Sequence, residues 1–122
     1  MSNDYSKIKY FTYARKSQEG EEKQVQSIPD QLREAEVVAK RYNIKVVDIL
    51  TEEGSAKEPN KRPIFEEMLE RIKRGEANGI ICWNLNRLSR NPVDSGKLQW
   101  MLQQGFIQSI LTPSREYKPN DN

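Results

Sequence analysis

Short apolar segments alternate with longer amphipathic segments along most of the chain, and this alternation constrains the fold more than any other feature. Residues 8–13, 45–50, 79–83 and 106–111 are rich in β-branched and aromatic side chains, which is typical of strands. The segments between them repeat apolar residues at helical spacing. Strands and helices in alternation predict an α/β fold, a three-layer sandwich with a largely parallel central sheet and helices on both faces.

Proline and glycine mark the ends of the amphipathic segments. Pro63 and Pro92 suit the first turn of a helix, and Gly75 and Gly105 suit the position where a helix ends. Ser27 can cap the earliest helix through its hydroxyl. In open α/β sheets, reactive groups collect in the loops beyond the carboxyl ends of the strands. The loops after the first three strands are therefore the predicted location of a functional site.

The composition excludes several classes of function. The chain contains no histidine, which excludes a Ser-His-Asp hydrolase, and its one cysteine, Cys82, allows neither an intrachain disulfide nor a cysteine zinc site. We therefore expect no cofactor and no metal ion. The length of 122 residues predicts a single domain, 1–122. The sequence shows no secretion signal and no apolar run of about 20 residues, so we expect a cytoplasmic protein without membrane contact.

Candidate catalytic side chains follow the first two strands. Arg15 and Ser17 lie two residues apart, so both can face the same side of an extended chain. The loop after the second strand contains Glu52 and Ser55. Arg62 follows directly before a helix N-terminus, which is a position where anions bind readily.

The loop after the third strand contains Arg87 and Arg90, three residues apart. If this part of the loop makes a helical turn, the two guanidinium groups point the same way. A guanidinium group stays charged near neutral pH and can bind two phosphate oxygens at once. Several such groups can therefore stabilise a phosphodiester transition state without a metal. A serine among them, such as Ser17, is a candidate nucleophile. The pattern predicts a site for phosphoryl transfer.

Each feature alone has a simpler explanation. An Arg-x-Ser sequence after a strand is usually a solvated turn. A net charge of +2 does not by itself predict a nucleic-acid partner. We interpret Trp83 and Trp100 as core residues rather than as base-stacking residues. A functional assignment therefore depends on the combination of motifs.

Four motifs are informative because they occur together and in a fixed order. They are Tyr13-Ala14-Arg15-Lys16-Ser17, Gln26-Ser27-Ile28-x-x-Gln31, Arg62-Pro63-x-Phe65 and Asn86-Arg87-Leu88-Ser89-Arg90-Asn91. In this combination the chain resembles the N-terminal catalytic domain of serine recombinases of the resolvase/invertase family, in particular that of large site-specific integrases. The likeness spans about residues 9–116, and we place the domain core at about 7–116.

The resemblance implies a role for each matched position. Ser17 would be the nucleophile that attacks a DNA phosphodiester and forms a phosphoserine bond, before strand exchange and religation. Around the phosphate would lie Arg15, Arg62, Arg87 and Arg90, supported by Tyr13, Gln26, Gln31, Glu52, Ser55 and Asn86. No metal is implied. The implied partners are double-stranded DNA and further copies of the chain, as a homo-dimer or tetramer of the full-length protein.

Two positions depart from the family pattern. Ala56 replaces the glycine that usually follows the serine of the second loop, and Asn86 replaces the aspartate that usually begins the arginine motif. An amide accepts a hydrogen bond but cannot take a proton, so a proton-transfer role does not carry over to position 86. Glu52 could supply a carboxylate instead.

The segment after the last strand, residues 113–117, resembles the part of larger members that leads to a dimer-forming helix and DNA-binding domains. We expect these C-terminal parts to be absent from residues 1–122, which would make the chain a fragment. Two other classes of function stay open. One is a non-catalytic module of the same fold that binds DNA or partner recombinases without cleavage. The other is a phosphate-binding regulatory domain of the receiver type, which explains the alternation but not the four arginines.

Overall fold

Five strands and four helices form the part of the chain that the structure, a computed structural model, describes: residues 5–16, 27–54 and 58–119. In chain order they are β1 (Lys9–Lys16), α1 (Ile28–Arg41), β2 (Lys45–Glu53), α2 (Pro63–Lys73), β3 (Gly79–Ile81), α3 (Leu85–Leu88), α4 (Pro92–Gln104), β4 (Ser109–Leu111) and β5 (Glu116–Tyr117). Within these ranges, no helix combines the length and the apolar composition needed to cross a bilayer.

The strands form one sheet in the order β2-β1-β3-β4-β5. Strands β1 to β4 are parallel, and β5 pairs antiparallel with β4. Because β1 lies between β2 and β3, the chain leaves β1 in one direction and later crosses back to build the sheet in the other. The carboxyl ends of β1 and β3 therefore flank the point where the strand order reverses.

Helices cover both faces of the sheet. On one side, Tyr10 and Ile81 of the sheet pack with Ala35 and Val38 of α1. On the other side, α2 and α4 cover the sheet, and this larger core contains Phe11, Tyr13, Ile80 and Ile110 from the strands, Phe65, Met68, Leu69 and Ile72 from α2, and Leu98 and Met101 from α4. The predicted α/β fold with three layers and a largely parallel sheet is confirmed.

Strand β3 lies so close to β1 that position 79 has no room for a side chain. Gly79 pairs with Tyr10 across the two strands. A Cβ atom at Gly79 would lie 2.6 Å from the ring of Tyr10 and 2.8 Å from Cγ2 of Ile8. Glycine at this position lets the two central strands pair beside a fully buried tyrosine.

Helix α3 and strand β5 are short elements that the sequence pattern does not predict. Helix α3 lies inside the predicted loop of residues 84–91. Strand β5 forms because Thr112 and Arg115 close a tight turn, in which the Thr112 N–H donates to the Arg115 carbonyl (2.8 Å) and the Arg115 N–H donates to Oγ1 of Thr112 (3.0 Å). This turn brings the chain back alongside β4.

Trp100 is not a core residue, contrary to the interpretation from the sequence. It lies on α4 with 48% of its surface exposed, and its ring centroid is 5.8 Å from that of Phe106. Leu98 and Met101 occupy the buried side of the same helix, so residue 100 faces outward. Trp83 is half-buried.

Candidate active site

The candidate residues lie beyond the carboxyl ends of the central strands, where the strand order reverses. Arg15 lies near the end of β1, Arg62 comes directly before α2, and Arg87 lies in α3, which follows β3. Ligands of open α/β sheets bind beside such a switch point. The fold therefore gathers arginines from three separate segments at the edge where a ligand is expected.

Arg15 is fully buried, and its guanidinium group donates hydrogen bonds to main-chain carbonyl oxygens of two segments. Its Nε donates to the carbonyl of Arg87 (3.0 Å), its Nη2 to that of Asn86 (2.9 Å) and its Nη1 to that of Gly54 (2.8 Å). Hydrogen bonds from a charged donor are about twice as strong as neutral ones. Arg15 thus ties β1 to α3 and to the residue that follows β2.

Gln31 of α1 fixes the main chain of Arg15 from the other face of the sheet. Its Oε1 accepts a hydrogen bond from the Arg15 N–H (3.2 Å), and its Nε2 donates to the Arg15 carbonyl (2.9 Å). The glutamine side chain is buried, so water does not compete for these bonds. Gln31, which the sequence predicts as a supporting residue, therefore sets the position of the chain two residues before Ser17.

Arg62 is the second fully buried arginine, and it reaches the same segment of α3. Its Nη1 donates to the carbonyl of Arg87 (3.1 Å) and to the hydroxyl of Tyr13 (3.2 Å), and its Nη2 donates to the carbonyl of Leu88. The carbonyl of Arg87 consequently accepts hydrogen bonds from both Arg15 and Arg62.

Asp94 is the ionic partner of Arg62. Its Oδ2 lies 3.2 Å from Nη2 of Arg62, and both side chains are buried. Asn91 caps α4 and holds the aspartate, since its Oδ1 accepts from the Asp94 N–H (2.8 Å) and its Nδ2 donates to Oδ2 of Asp94 (2.9 Å). The guanidinium carbon of Arg62 also lies 3.9 Å from the centre of the Phe65 ring. The ion pair links the start of α2 to the first turn of α4.

These arginines supply the hydrogen-bond partners that α3 lacks. The last carbonyls of a helix have no partner within the helix, and a helix of four residues has little stability of its own. In α3 the carbonyls of residues 86, 87 and 88 accept from Arg15 and Arg62. The position of α3 therefore depends on these two side chains.

Glu52 connects β2 to Tyr13 and to the start of α2. Its Oε1 accepts from the Tyr13 hydroxyl (2.8 Å) and from the Phe65 N–H (3.0 Å), and its Oε2 accepts from the Ile64 N–H (2.8 Å). The carboxylate thus satisfies N–H groups at a helix N-terminus, where negative charge is favourable. Burial raises the pKa of Tyr13 above its ordinary value of 10.0, so the phenol stays protonated and donates to Glu52.

Arg87 is almost completely buried and faces other cations. Its Nη1 donates to the Arg15 carbonyl (3.2 Å), and its guanidinium carbon lies 5.8 Å from the centre of the Trp83 ring. Burial, together with the charges of Arg15 and Arg90, lowers the pKa of Arg87 to about 10. Arg87 remains a cation at neutral pH, in surroundings that favour the approach of an anion.

Asn86 and Arg90 are the exposed members of the predicted set. Asn86 contributes its main-chain carbonyl to the bond with Arg15, and its side chain is on the surface. Arg90 lies two residues beyond α3. These two residues form the solvent-facing rim of the site.

The structure brings most of the described candidates together, at the carboxyl ends of the central strands. The buried group comprises Tyr13, Arg15, Gln31, Glu52, Arg62 and Arg87, with Asn86 and Arg90 at its rim. Ser17, Gln26 and Ser55 lie outside the described residues. From the sequence, Arg15 and Arg62 are expected to face a phosphate. In the structure their donors bind main-chain carbonyls, and Arg62 also donates to Tyr13 and Asp94. The catalytic role of each residue stays a prediction.

Asp94 and Asn91 belong to the site although the sequence does not predict them there. The signal available was the spacing, because an asparagine before Pro92 and an aspartate three residues later are typical of the start of a helix. The start of a helix is a sufficient explanation for both residues, so the spacing does not indicate a role in the site. The pairing of Asp94 with Arg62, 32 residues earlier in the chain, became visible only in the folded structure.

The positive charge of this site comes from arginine side chains. Among residues 5–16, 27–54 and 58–119, no group of three or more His, Cys, Asp or Glu side chains is placed to hold a metal ion. Guanidinium groups provide charge and directed N–H donors at once, which is the combination that binds phosphate oxygens.

The family model described as "Resolvase, N terminal domain" matches residues 10–113. Among solved structures, the chain is similar to the N-terminal catalytic domain of TP901-1 integrase, with 22% identity, a TM-score of 0.67 and coverage of 87% of this chain and 77% of that one. A resolvase family site-specific recombinase from Streptococcus pneumoniae is 21% identical, with a TM-score of 0.70 and coverage of 95% and 78%.

A third similar structure is the C-terminal catalytic domain of ISC1926 TnpA, an IS607-like serine recombinase. It is 17% identical, with a TM-score of 0.68 and coverage of 87% of this chain and 70% of that chain. At these levels of identity the structural likenesses establish the fold. The family follows from the match over residues 10–113.

Proposed function

The chain belongs to the family of resolvase N-terminal domains, the catalytic domains of serine recombinases, and from this premise we propose that its Ser17 cleaves and rejoins DNA strands. The observation that carries the proposal is the convergence of Arg15, Arg62 and Arg87 from three segments of the chain onto one point. Such a cluster of fixed cations favours a polyanionic ligand, and Ser17 follows Arg15 by two residues.

The proposed reaction is a transesterification. The Ser17 oxygen attacks the phosphorus of a phosphodiester and loses its proton, while the bond from phosphorus to a deoxyribose oxygen breaks and that oxygen gains a proton. A serine–phosphate diester joins protein and DNA. Attack by a deoxyribose hydroxyl of the exchanged strand reverses the step and releases Ser17. One phosphodiester is exchanged for another, so neither water nor a cofactor is consumed.

The arginines stabilise the charge that builds up on the phosphate oxygens in the transition state. Arg90 is exposed and meets the phosphate first, with Arg87 next to it. Arg15 and Arg62 lie behind them, with donors on the carbonyls of residues 86–88. Catalytic contacts often tighten only in the working complex.

The substrate class and the assembly follow from the same proposal. The DNA is double-stranded, and the strands to be exchanged belong to two duplexes, so two or more copies of the catalytic domain act together as a dimer or tetramer. Residues 7–116 form one catalytic domain, and site recognition belongs to other parts of the full-length protein.

Trapping the protein–DNA adduct tests the proposal. The full-length protein is incubated with genomic DNA of its source organism, the reaction is stopped with detergent, and nuclease digestion followed by mass spectrometry locates any attached nucleotide. We expect a nucleotide phosphate on the peptide that contains Ser17. Ser17→Ala should abolish the adduct and leave DNA binding nearly intact, while Ser114→Ala, at an exposed serine, should change neither. An adduct of equal yield from Ser17→Ala contradicts the proposal.

One observation favours a second function, a module that binds DNA or partner recombinases without cutting. The family's aspartate at the start of the arginine motif is Asn86 in this chain, and an amide cannot take a proton. If the wild-type protein assembles on DNA without any adduct and Asn86→Asp restores one, the binding module is the better account of the natural chain.

A further inference from the structure

The ion pair of Arg62 and Asp94 joins the start of α2 to α4, and Arg62 also contacts α3. Nη1 of Arg62 donates to the carbonyl of Arg87, and its Nη2 donates both to the carbonyl of Leu88 and to Oδ2 of Asp94. Asn91 orients the aspartate through two hydrogen bonds of 2.8 and 2.9 Å. Whatever moves Asp94 therefore moves Arg62, and with it the segment that contains Arg87.

Burial makes direct contact between this pair and a ligand impossible in the described arrangement. The side chains of Arg62 and Asp94 are 0% and 1% exposed. The Arg62 guanidinium lies between the Phe65 ring, 3.9 Å away, and the carbonyls of α3. A group so enclosed acts on the phosphate through its neighbours.

A buried pair of this kind is also intolerant of losing one partner. Removing the charge of Asp94 leaves the Arg62 cation in surroundings without water, and an uncompensated buried charge costs far more than the pair gains. The position of Arg62 then changes until its donors find other acceptors. Because α3 has only four residues and depends on those donors, it changes position too.

We propose that Asp94 is a positioning residue, which acts through Arg62 to fix α3 and thereby aims Arg87 and Arg90 at the phosphate. This inference rests on the proposed function, and it assigns to Asp94 a role in the rate of cleavage without any contact to DNA. Arg62, the ionic partner of Asp94, is part of the same positioning contact.

The test compares Asp94→Asn with Asp48→Asn. Asp48 forms an ion pair with Arg71 at 3.0 Å, but that pair is partly exposed and lies on β2 and α2 away from α3. Hydrogen exchange of the Arg87 and Ser89 amides, which close the turn of α3 by donating to Asn84 and Leu85, reports the position of α3 without DNA. Adduct formation at saturating DNA reports the chemical step, and DNA affinity is measured separately.

For Asp94→Asn we expect these two amides to exchange at least about tenfold faster, since a hydrogen-bonded charge that holds the turn is lost. We expect adduct formation to slow roughly ten- to a hundredfold at unchanged DNA affinity, the scale of a misplaced catalytic group. Asp48→Asn should change none of the three readouts. Arg62→Lys, which keeps the positive charge but has no fork, should reproduce the Asp94→Asn pattern and replaces that variant if it fails to fold.

Unchanged amide exchange in Asp94→Asn overturns the positioning role, and so does faster exchange with an unchanged rate of adduct formation, because the pair is then only structural. A wild-type protein that never forms an adduct overturns the proposed function and this inference with it. Failure of the proposed function is visible in the wild-type protein, whereas failure of the positioning role is visible only in the variants. The two failures can therefore be told apart.

Discussion

At the scale of single residues, burial determines which groups at the site carry charge. Tyr10 and Tyr13 lie on β1 with almost no exposed surface, and burial raises the pKa of both phenols above their ordinary value of 10.0. Burial acts in the opposite direction on the cation Arg87, whose pKa falls to about 10. At neutral pH the site therefore combines neutral phenols with charged arginines, and Tyr13 is a hydrogen-bond donor and not a base.

The raised pKa values predict how the tyrosines titrate. An unfolded phenol ionises near pH 10, so the folded state holds protons that the unfolded state loses, and this contribution to stability is present below pH 10 and is lost as the pH rises further. Arg87 acts in the opposite sense above pH 10, so stability alone mixes both effects. Absorbance at 295 nm follows phenolate only.

We expect the absorbance of the folded protein at pH 11 to show at least two of its five tyrosines still protonated. Unfolding in guanidinium at the same pH should release the missing phenolate signal. If all five tyrosines ionise below pH 11 while circular dichroism still reports a folded chain, the assigned burial of Tyr10 and Tyr13 is wrong.

At the scale of the elements, close packing of the two central strands depends on one glycine. A Cβ at Gly79 meets the Tyr10 ring at 2.6 Å, and that ring is fully buried and has nowhere to move. Gly96 on α4 offers the matched contrast, because nothing lies within 4 Å of a Cβ built there.

Gly79→Ala should lower the free energy of unfolding by about 1–3 kcal/mol, the usual cost of forcing extra volume into a packed core. Gly96→Ala should raise it by about 0.5–1 kcal/mol, because alanine loses less backbone entropy in a helix than glycine does. Urea unfolding of both variants and the wild type measures the difference. Equal stabilities of the two variants would show that β1 and β3 are not packed as described.

The elements that the sequence predicts correctly are those with local signals. Helices α1, α2 and α4 begin where Ser27, Pro63 and Pro92 predict, and the apolar stripe of α2 is buried as its spacing indicates. Helix α3 and strand β5 escaped prediction because four and two residues have no periodicity to detect, and their partners lie elsewhere in the fold.

The same distinction applies to the site. Motif order identifies the arginines, and the topology of the sheet explains why three of them meet. That Arg15 and Arg62 bind main-chain carbonyls has no sequence signal, since every residue has a carbonyl group. The pairing of Asp94 with Arg62 also has no sequence signal. An aspartate in the first turn of a helix is favourable because of the helix dipole alone, so its presence does not indicate a distant partner.

At the scale of the whole molecule, charge is nearly balanced: the sequence has 20 basic and 18 acidic residues. Much of the surface pairs opposite charges, as in the contacts of Arg71 with Asp48 and Glu76 and of Lys97 with Glu66. Near α3, Arg15, Arg87 and Arg90 lie close enough together for their charges to affect one another. Under the proposed function, this small group of cations is the part of the domain that would attract DNA.

Residues 1–122 alone should therefore bind duplex DNA weakly and without sequence preference, with a dissociation constant of about 1–100 µM at physiological salt. The affinity should fall steeply between 50 and 200 mM salt, because each phosphate contact releases counterions, as a salt series shows. Fluorescence anisotropy with two duplexes of unrelated sequence measures both effects. Tight binding to only one of the duplexes at physiological salt would mean that this domain reads bases directly.

Arg15 and Arg62 hold α3 through its main-chain carbonyls, so the packing of α3 does not depend on the exposed side chain at position 86. Arg15 binds the main-chain carbonyl of residue 86, which every amino acid has. The Asn86 side chain is exposed. A library of replacements at position 86 should therefore contain mostly folded members. Replacements on this outer surface therefore change the chemistry of the rim while the buried hydrogen bonds that hold α3 stay the same.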